Sequence, residues 1–370
     1  MRCLGEDLRF HWVYNHSTTL ADAAISKGRS FDINKMAFVR KLDVPSPGAV
    51  GTLTFVEASS YAMSTTVPGT SVSYADISSV ARMPFQQKSE WLKIQFTAIR
   101  TPWEEGHIKL KVRRASLLQD SMEGMESIQS GDMRKIFRFD FIGEPGLDAG
   151  GVAREWYNLV AEQLFNPDCG LFLYSSVNQM CMQINANSGI ANEYHLRYFH
   201  FAGRVLGKAL MDGHITPVHL VAPLYKHLMG FPITLNDLEH IDDQDVLGMT
   251  QTVSLVEGGE DITVIDDNLG DYLREQLKYR LLVRIQDQLR EFLKGFYDVV
   301  PEPLLAVFDF KELELLLHGL PNIKMEDWMA YTEYSGEFLG NSNHKVVKWF
   351  WEIVSGYSQE NKAKLLQFST

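Results

Sequence analysis

The chain of 370 residues carries 35 Lys and Arg against 47 Asp and Glu, a formal net charge of −12, and is 45% hydrophobic and 22% charged. This composition excludes wholesale disorder, and the length allows two or three domains around a sizeable core. The acidic balance opposes attraction to nucleic-acid phosphates, and no apolar run reaches the roughly 18 residues that span a bilayer, so neither nucleic acid nor membrane is an expected partner.

Residues 1–82 are rich in Ser, Thr, Ala and Gly and read as an upstream region or linker, with one strand candidate at Gly51 to Val56. From Met83 the patterning sharpens. Trp91, Ile94 and Phe96 fall at helical spacing before a Thr101-Pro102 break. Ile108, Leu110 and Val112 then alternate with Lys109, Lys111 and Arg113, and Phe137, Phe139 and Phe141 alternate with Arg138 and Asp140, which predicts two half-buried strands.

Apolar stripes predict helices over Val152 to Phe165, over Tyr194 to Met211 with Gly213 as its stop, and over Val218 to Met229. The strongest stripe, Leu273 to Phe296, predicts one long helix over Asp271 to Val299, ended by Pro301. Two more helices are expected at Phe310 to Leu317 and His344 to Ser355, the second with Val347, Phe350, Trp351 and Val354 on its apolar face. The fold class is therefore α+β and mostly helical.

The chain holds three cysteines, Cys3, Cys169 and Cys181, with no CxxC and no His pair at ligand spacing. Neither a metal site nor a disulfide framework is indicated, and a reducing compartment, cytoplasm or nucleus, is expected; the first residues lack the form of a signal peptide. Asp168 beside Cys169 raises that thiol's pKa, and Met180 and Met182 flank Cys181, so neither makes a good nucleophile. The turn from Gly143 to Gly151 lacks a Gly-Lys-Ser/Thr and reads as structural. Asp148, Gly150, Gly151, Arg154, Glu155 and Trp156 are expected to form a tight turn locked by an internal ion pair.

Several blocks, in order, carry a family likeness. They include Leu110-Lys-Val-Arg-Arg, Gly146-Leu-Asp-Ala-Gly-Gly-Val-Ala-Arg-Glu-Trp156, Phe165-Asn-Pro167, Gly170-Leu-Phe172, Gln183-Ile-Asn185 and Asn187-Ser-Gly189. Tyr198-Phe-His-Phe-Ala-Gly-Arg-Val-Leu-Gly-Lys-Ala209, Phe292-Leu-Lys-Gly-Phe296, Lys348-Trp-Phe-Trp351 and Lys364-Leu-Leu-Gln-Phe368 follow. From about Met83 onward the chain resembles the HECT-type ubiquitin ligases.

The resemblance implies a bilobal catalytic domain. A large helical N-lobe, here 83–335, recruits a ubiquitin-conjugating enzyme, and 336–370 form the hinge and the truncated start of an α/β C-lobe. The C-lobe cysteine of the family accepts ubiquitin as a thioester, which a substrate lysine then attacks, without metal or organic cofactor. That cysteine is expected beyond Thr370, so this region is expected to be inactive alone. The resemblance also implies noncovalent ubiquitin binding on a face with Cys169, Leu171, Phe172 and Tyr174; an aromatic is usual where Cys169 stands. Between Asp245 and Thr252 the family inserts a subdomain for the conjugating enzyme, and most of it is missing here. A non-catalytic module that binds ubiquitin or another partner is the alternative.

Overall fold

The structure is a computed structural model that describes residues 2–4, 9–12, 36–44, 51–64, 72, 74–144, 150–240, 253–319, 323, 325–330, 332–334, 344–357, 361–362 and 365. Asp148, the stretch from Asp245 to Thr252, the hinge residues after Tyr334 and the last five residues lie outside them. The chain forms two compact units, Met1–Leu317 and His318–Thr370.

In the first unit, β1 (Arg2–Leu4), β2 (Arg9–Trp12) and β5 (Ala62–Ser64) make an antiparallel sheet in the order β1-β2-β5. Strands β3 (Phe38–Asp43) and β4 (Thr52–Glu57) form an antiparallel hairpin that pairs Phe38 with Glu57 and Asp43 with Thr52. Strand β4 falls on the candidate at Gly51 to Val56. Phe38 exchanges backbone hydrogen bonds with Ile233 at 3.0 and 2.8 Å. Its ring joins Ile233, Leu277, Leu281 and Leu282 in one buried cluster. No local periodicity announces such a segment, because its partners stand some 200 residues away in sequence.

Helices α1 (Tyr74–Val80) and α2 (Phe85–Ile99) precede β6 (His107–Val112), α3 (Leu117–Glu126) and β7 (Ile136–Phe141). Strands β6 and β7 are parallel, His107 against Ile136 and Val112 against Phe141, so α3 is the crossover that a parallel pair requires. As the alternation requires, Leu110, Val112, Phe137, Phe139 and Phe141 are buried.

Next come α4 (Gly151–Leu164), β8 (Phe172–Tyr174), β9 (Cys181–Ile184), α5 (Ser188–Ala191) and α6 (His195–Asp212). Gly213, at φ 73°, ends α6 in the left-handed conformation, as its position in the sequence indicates. The helix expected from Val218 starts later: β10 (His219–Leu220) pairs parallel with β9, and α7 (Ala222–Met229) follows with Pro223 in its first turn.

The long helix expected over Asp271 to Val299 is two helices, α8 (Leu269–Leu281) and α9 (Gln286–Val299). The break falls at Leu282, with φ −132° and ψ −65°, and Leu281, Leu282 and Ile285 are buried on both sides of it. Short α10 (Glu302–Leu305) and α11 (Phe310–His318) close this part of the chain.

Helix α6 is buried on almost every face from Phe201 to Met211, whereas its sequence reads as a one-sided stripe. Glycines let α9 approach it. A Cβ on Gly203 would lie 2.1 Å from the Phe292 carbonyl oxygen, and one on Gly295 only 1.9 Å from that of His200. The two charged residues drawn inside are paired. Arg204 Nη2 meets Asp298 at 2.6 Å and Nη1 donates to the Met125 and Ile128 carbonyls, while Lys208 donates to Lys135 O at 2.8 Å and to Asp212 at 3.1 Å. At the edge of this core, Lys88 of α2 and Glu312 of α11 form a buried ion pair at 2.9 Å.

In the second unit, Val347, Trp351 and Val354 of α13 (Lys345–Ser355) pack with Met325 and Trp328 of α12 (Met325–Ala330), Tyr334 and Leu365. Trp351 Nε1 donates to Tyr334 Oη at 2.9 Å. Phe350, expected on the inner face, is exposed with Val346, Trp349 and Ile353.

Candidate functional site

Three groups of residues stand out in the sequence: the turn at 148–156, the segment 169–174, and the cysteines and histidines around them. In the turn, Gly150 takes φ 87° just before α4, a conformation that a side chain strains. Trp156 is wholly buried, stacks on Phe139 at 4.1 Å, and donates from Nε1 to Ser121 Oγ at 2.9 Å, tying α4 to β7 and α3. Asp148 lies outside the described residues, and among them the ion pairs at the turn centre on Arg114. Glu155 binds Arg114 at 2.8 Å, and Arg114 also reaches Glu144 at 2.5 Å. Arg154 is exposed and makes no ion pair among the described residues. The bonds from Glu144 and Glu155 raise the Arg114 pKa.

The segment 165–188 is a hairpin with a hydrogen-bonded frame. Asn166 Oδ1 accepts from the Asp168 amide at 3.0 Å, Gly170 turns the chain at φ 69°, and Asn185 Nδ2 donates to Gly170 O at 2.7 Å. A Cβ on Gly170 would fall 2.5 Å from that of Ala191, so α5 seals one side of the turn. Strands β8 and β9 pair antiparallel, Phe172 against Ile184 and Tyr174 against Met182.

Within this frame the four residues expected to meet ubiquitin separate. Leu171 and Phe172 are buried, Phe172 against Phe165 at 4.5 Å and Phe199 at 5.2 Å, so they belong to the core and not to a contact surface. Cys169 is half-buried and its Sγ donates to Gln163 O at 3.1 Å. Tyr174 is 56% exposed, and the β8–β9 loop adds Val177 at 64% and Met180 at 75%. Sequence reasoning missed Val177 and Met180; the signal was an apolar pair inside a loop whose Asn178 turns the chain, with its Oδ1 accepting from the Met180 amide.

Neither described thiol is set up as a nucleophile. Burial, then Asp168, pushes the Cys169 pKa up; burial, then Glu314, does the same for Cys181. The histidines have separate structural partners. His195 Nδ1 lies 2.9 Å from Ser188 Oγ, His200 Nε2 3.0 Å from Asp298, and His219 Nδ1 3.3 Å from Glu314. His214 packs against the Tyr157 ring at 4.4 Å, and His227 is buried. Among the described residues no three His, Cys, Asp or Glu side chains gather to hold a metal ion, and no helix is long and apolar enough to cross a membrane.

The hairpin thus combines a hydrogen-bonded frame, an exposed apolar rim and no activated nucleophile among its described thiols. Comparison with known proteins agrees with the family blocks that build it. The model of the HECT-domain (ubiquitin-transferase) family matches residues 158–246 and 243–370. The E3 ubiquitin-protein ligase Nedd-4 of Drosophila melanogaster is 36% identical over 312 residues, covering 77% of this chain and 30% of that protein. The E3 ubiquitin-protein ligase NEDD4 of Homo sapiens is 37% identical over 287 residues, covering 71% and 22%. The E3 ubiquitin-protein ligase pub1 of Schizosaccharomyces pombe is 36% identical over 290 residues, covering 72% and 37%. The chain thus spans 22% to 37% of the length of these relatives. A family model matched over more than half of the chain, together with relatives 36% and 37% identical over most of it, makes this protein a member of the HECT-domain family.

Proposed function

We propose that this chain is the ubiquitin-handling region of a HECT-type ubiquitin-protein ligase, working in the transfer of ubiquitin from a conjugating enzyme to substrate lysines. The family match supports the reaction class, and one observation supports the role of this region. Tyr174, Val177 and Met180 stand exposed on a hairpin anchored by the buried Phe172. A small folded partner such as ubiquitin can cover such a rim without rearranging it.

The transfer is two acyl exchanges. A thiolate attacks the carbonyl of the conjugating enzyme's ubiquitin thioester and that enzyme's sulfur leaves; a lysine amine then attacks the new thioester, and the second sulfur leaves as thiolate. The raised pKa values of Cys169 and Cys181 argue that neither is the accepting thiol. In this reading the chain binds and positions ubiquitin, and needs no metal. The second reading, a non-catalytic ubiquitin-binding module, draws on the same rim, because binding alone needs no nucleophile.

A single-turnover assay tests the first reading, with a conjugating enzyme charged with labelled ubiquitin and samples run with and without reductant. No reductant-sensitive ubiquitin adduct on the 370-residue chain is expected, and an adduct would overturn the dismissal of its cysteines. In a parallel titration, a ligase region binds the charged conjugating enzyme more tightly than free ubiquitin. A binding module alone treats the two equally, and binding of neither would end both readings.

A further inference from the structure

The segment 253–268 and the face of α8 beside it enclose an open groove of about 790 Å³. Its walls are apolar. Val253, Val256, Ile262 and Val264 come from the segment and Tyr272 from α8, and each is at least 39% exposed. Single exposed aliphatic residues are ordinary, but several lining one concavity mark a surface that another molecule covers.

The charge around the groove is predominantly negative. Residues 253–278 hold seven carboxylates against two cations, Arg274 and Lys278, so this short stretch carries −5 of the chain's −12. Both cations are already engaged: Arg274 meets Asp271 at 3.1 Å and Glu275 at 3.3 Å, and Lys278 meets Glu275 at 2.8 Å. Ser254 donates a hydrogen bond to Glu260 on the same wall. The groove therefore offers apolar contact inside and negative potential at its rim.

We propose that this groove docks a cationic amphipathic segment of a partner protein, whose aliphatic side chains fill the concavity while its Lys or Arg residues reach the carboxylates. Charge complementarity selects this occupant. A second copy of the chain would bring a further −12, and phosphate-rich nucleic acid or an anionic lipid surface would be repelled. An apolar segment without cations would crowd the rim carboxylates and strip their water with nothing in exchange. The inference stands on the groove alone and does not depend on the ubiquitin reading.

The test is fluorescence anisotropy with the 370-residue chain and three labelled peptides of about 14 residues, long enough for about four helical turns. One is an amphipathic Leu/Lys peptide, one its Leu/Glu counterpart, and one a Ser/Lys peptide of equal charge. The Leu/Lys peptide is expected to bind, the Leu/Glu peptide not to, and the Ser/Lys peptide to bind about tenfold more weakly, a loss of roughly 1.4 kcal/mol. Ile262→Asn with Val264→Asn should weaken the Leu/Lys peptide about tenfold. Asp271→Lys should weaken it and flatten its salt dependence, while Glu90→Lys outside the groove should change neither. The two variants act independently, so misfolding of the Asn pair, read by circular dichroism, leaves the Lys variant decisive. Equal binding of the Leu/Glu peptide, or Leu/Lys binding that Asp271→Lys and Glu90→Lys alter alike, would overturn the proposal.

Discussion

Arg40 and Glu302 stand 262 residues apart in the chain and 2.5 Å apart in the fold, Nη2 to Oε1. Arg40 also donates from Nε to His227 O at 2.7 Å and from Nη2 to Tyr297 Oη, which in turn donates to Leu228 O. Burial works against the guanidinium charge, and Glu302, with Tyr297 and Tyr61, outweighs it, so the Arg40 pKa is raised. One buried arginine thus fastens the β3–β4 hairpin to α7, α9 and α10.

Breaking that fastening should be costly. Arg40→Ala removes the cation and leaves the His227 carbonyl, the Tyr297 hydroxyl and the Glu302 carboxylate without its donor hydrogens, so a loss of about 3–5 kcal/mol is expected, read as a lower urea midpoint at unchanged slope. Glu302→Gln keeps the shape and one acceptor and should cost less. The double variant should lose less than the sum of the two, because both report one interaction.

The contact between α6 and α9 sets a second expectation. Gly203→Ala and Gly295→Ala each place a methyl within 2.1 Å of a backbone oxygen that no side-chain rotation can move, so the helices must separate. Each should destabilise the chain by about 3 kcal/mol or more. Gly151→Ala is the contrast: at the first turn of α4 a Cβ meets nothing within 4 Å, and a gain of about 0.4–1 kcal/mol is expected. Thermal unfolding of the three variants orders them.

Acid should loosen the fold through His227. Burial first, then the charges of Arg40 and Lys226, hold its pKa down at about 3, although Nε2 donates to Leu281 O at 3.2 Å. An unfolded histidine titrates near 6.5. Between those values the unfolded chain binds a proton that the fold refuses. The stabilisation is whole above pH of about 6.5 and is lost on the way down toward 3, at up to roughly 1.4 kcal/mol per pH unit. Urea midpoints from pH 7 to 4 for wild type and His227→Phe isolate this slope, since the carboxylates are common to both.

The hairpin predicts a split between neighbours. Phe172→Ala opens a cavity among Phe165, Phe199 and Phe292 and should cost about 3–5 kcal/mol. Tyr174→Ala should leave stability within about 0.5 kcal/mol while weakening ubiquitin binding. Stability measured beside a ubiquitin titration checks both, and loss of binding in Phe172→Ala at full stability would contradict the assignment of Phe172 to the core.

Thiol reactivity is the last expectation. With raised pKa values, Cys169 and Cys181 should alkylate with iodoacetamide more slowly at pH 7 than a free cysteine, and faster as the pH rises toward 9. Mass spectrometry of tryptic peptides over a time course measures each site.

Much of the architecture was legible because its periods are local. The alternation in Ile108 to Val112 and Phe137 to Phe141, the stripe before Gly213 and the family blocks each need only a short window of chain. The kink at Leu282 was not legible, because an unbroken leucine stripe carries no Gly or Pro to announce it. Pro223, by contrast, did mark where α7 begins, and the expectation of a helix from Val218 passed over it.

At the site, sequence found the segment and misjudged its surface. Gly170-Leu-Phe172 belongs to the frame, and only the tertiary packing separates buried Leu171 and Phe172 from exposed Tyr174. The same holds for charges. No local pattern joins Glu155 to Arg114, 41 residues earlier, yet that is the partner the fold brings to it.

The sequence by itself determined the family, the α+β class and most element positions, since propensity and periodicity act over a few residues. Only the tertiary structure decided that the β3–β4 hairpin belongs to the core, that α6 is buried on almost every face from Phe201 to Met211, and which apolar residues stay outside. Those outcomes depend on groups brought together from hundreds of residues apart, where burial and pairing are settled by close packing that no local pattern encodes.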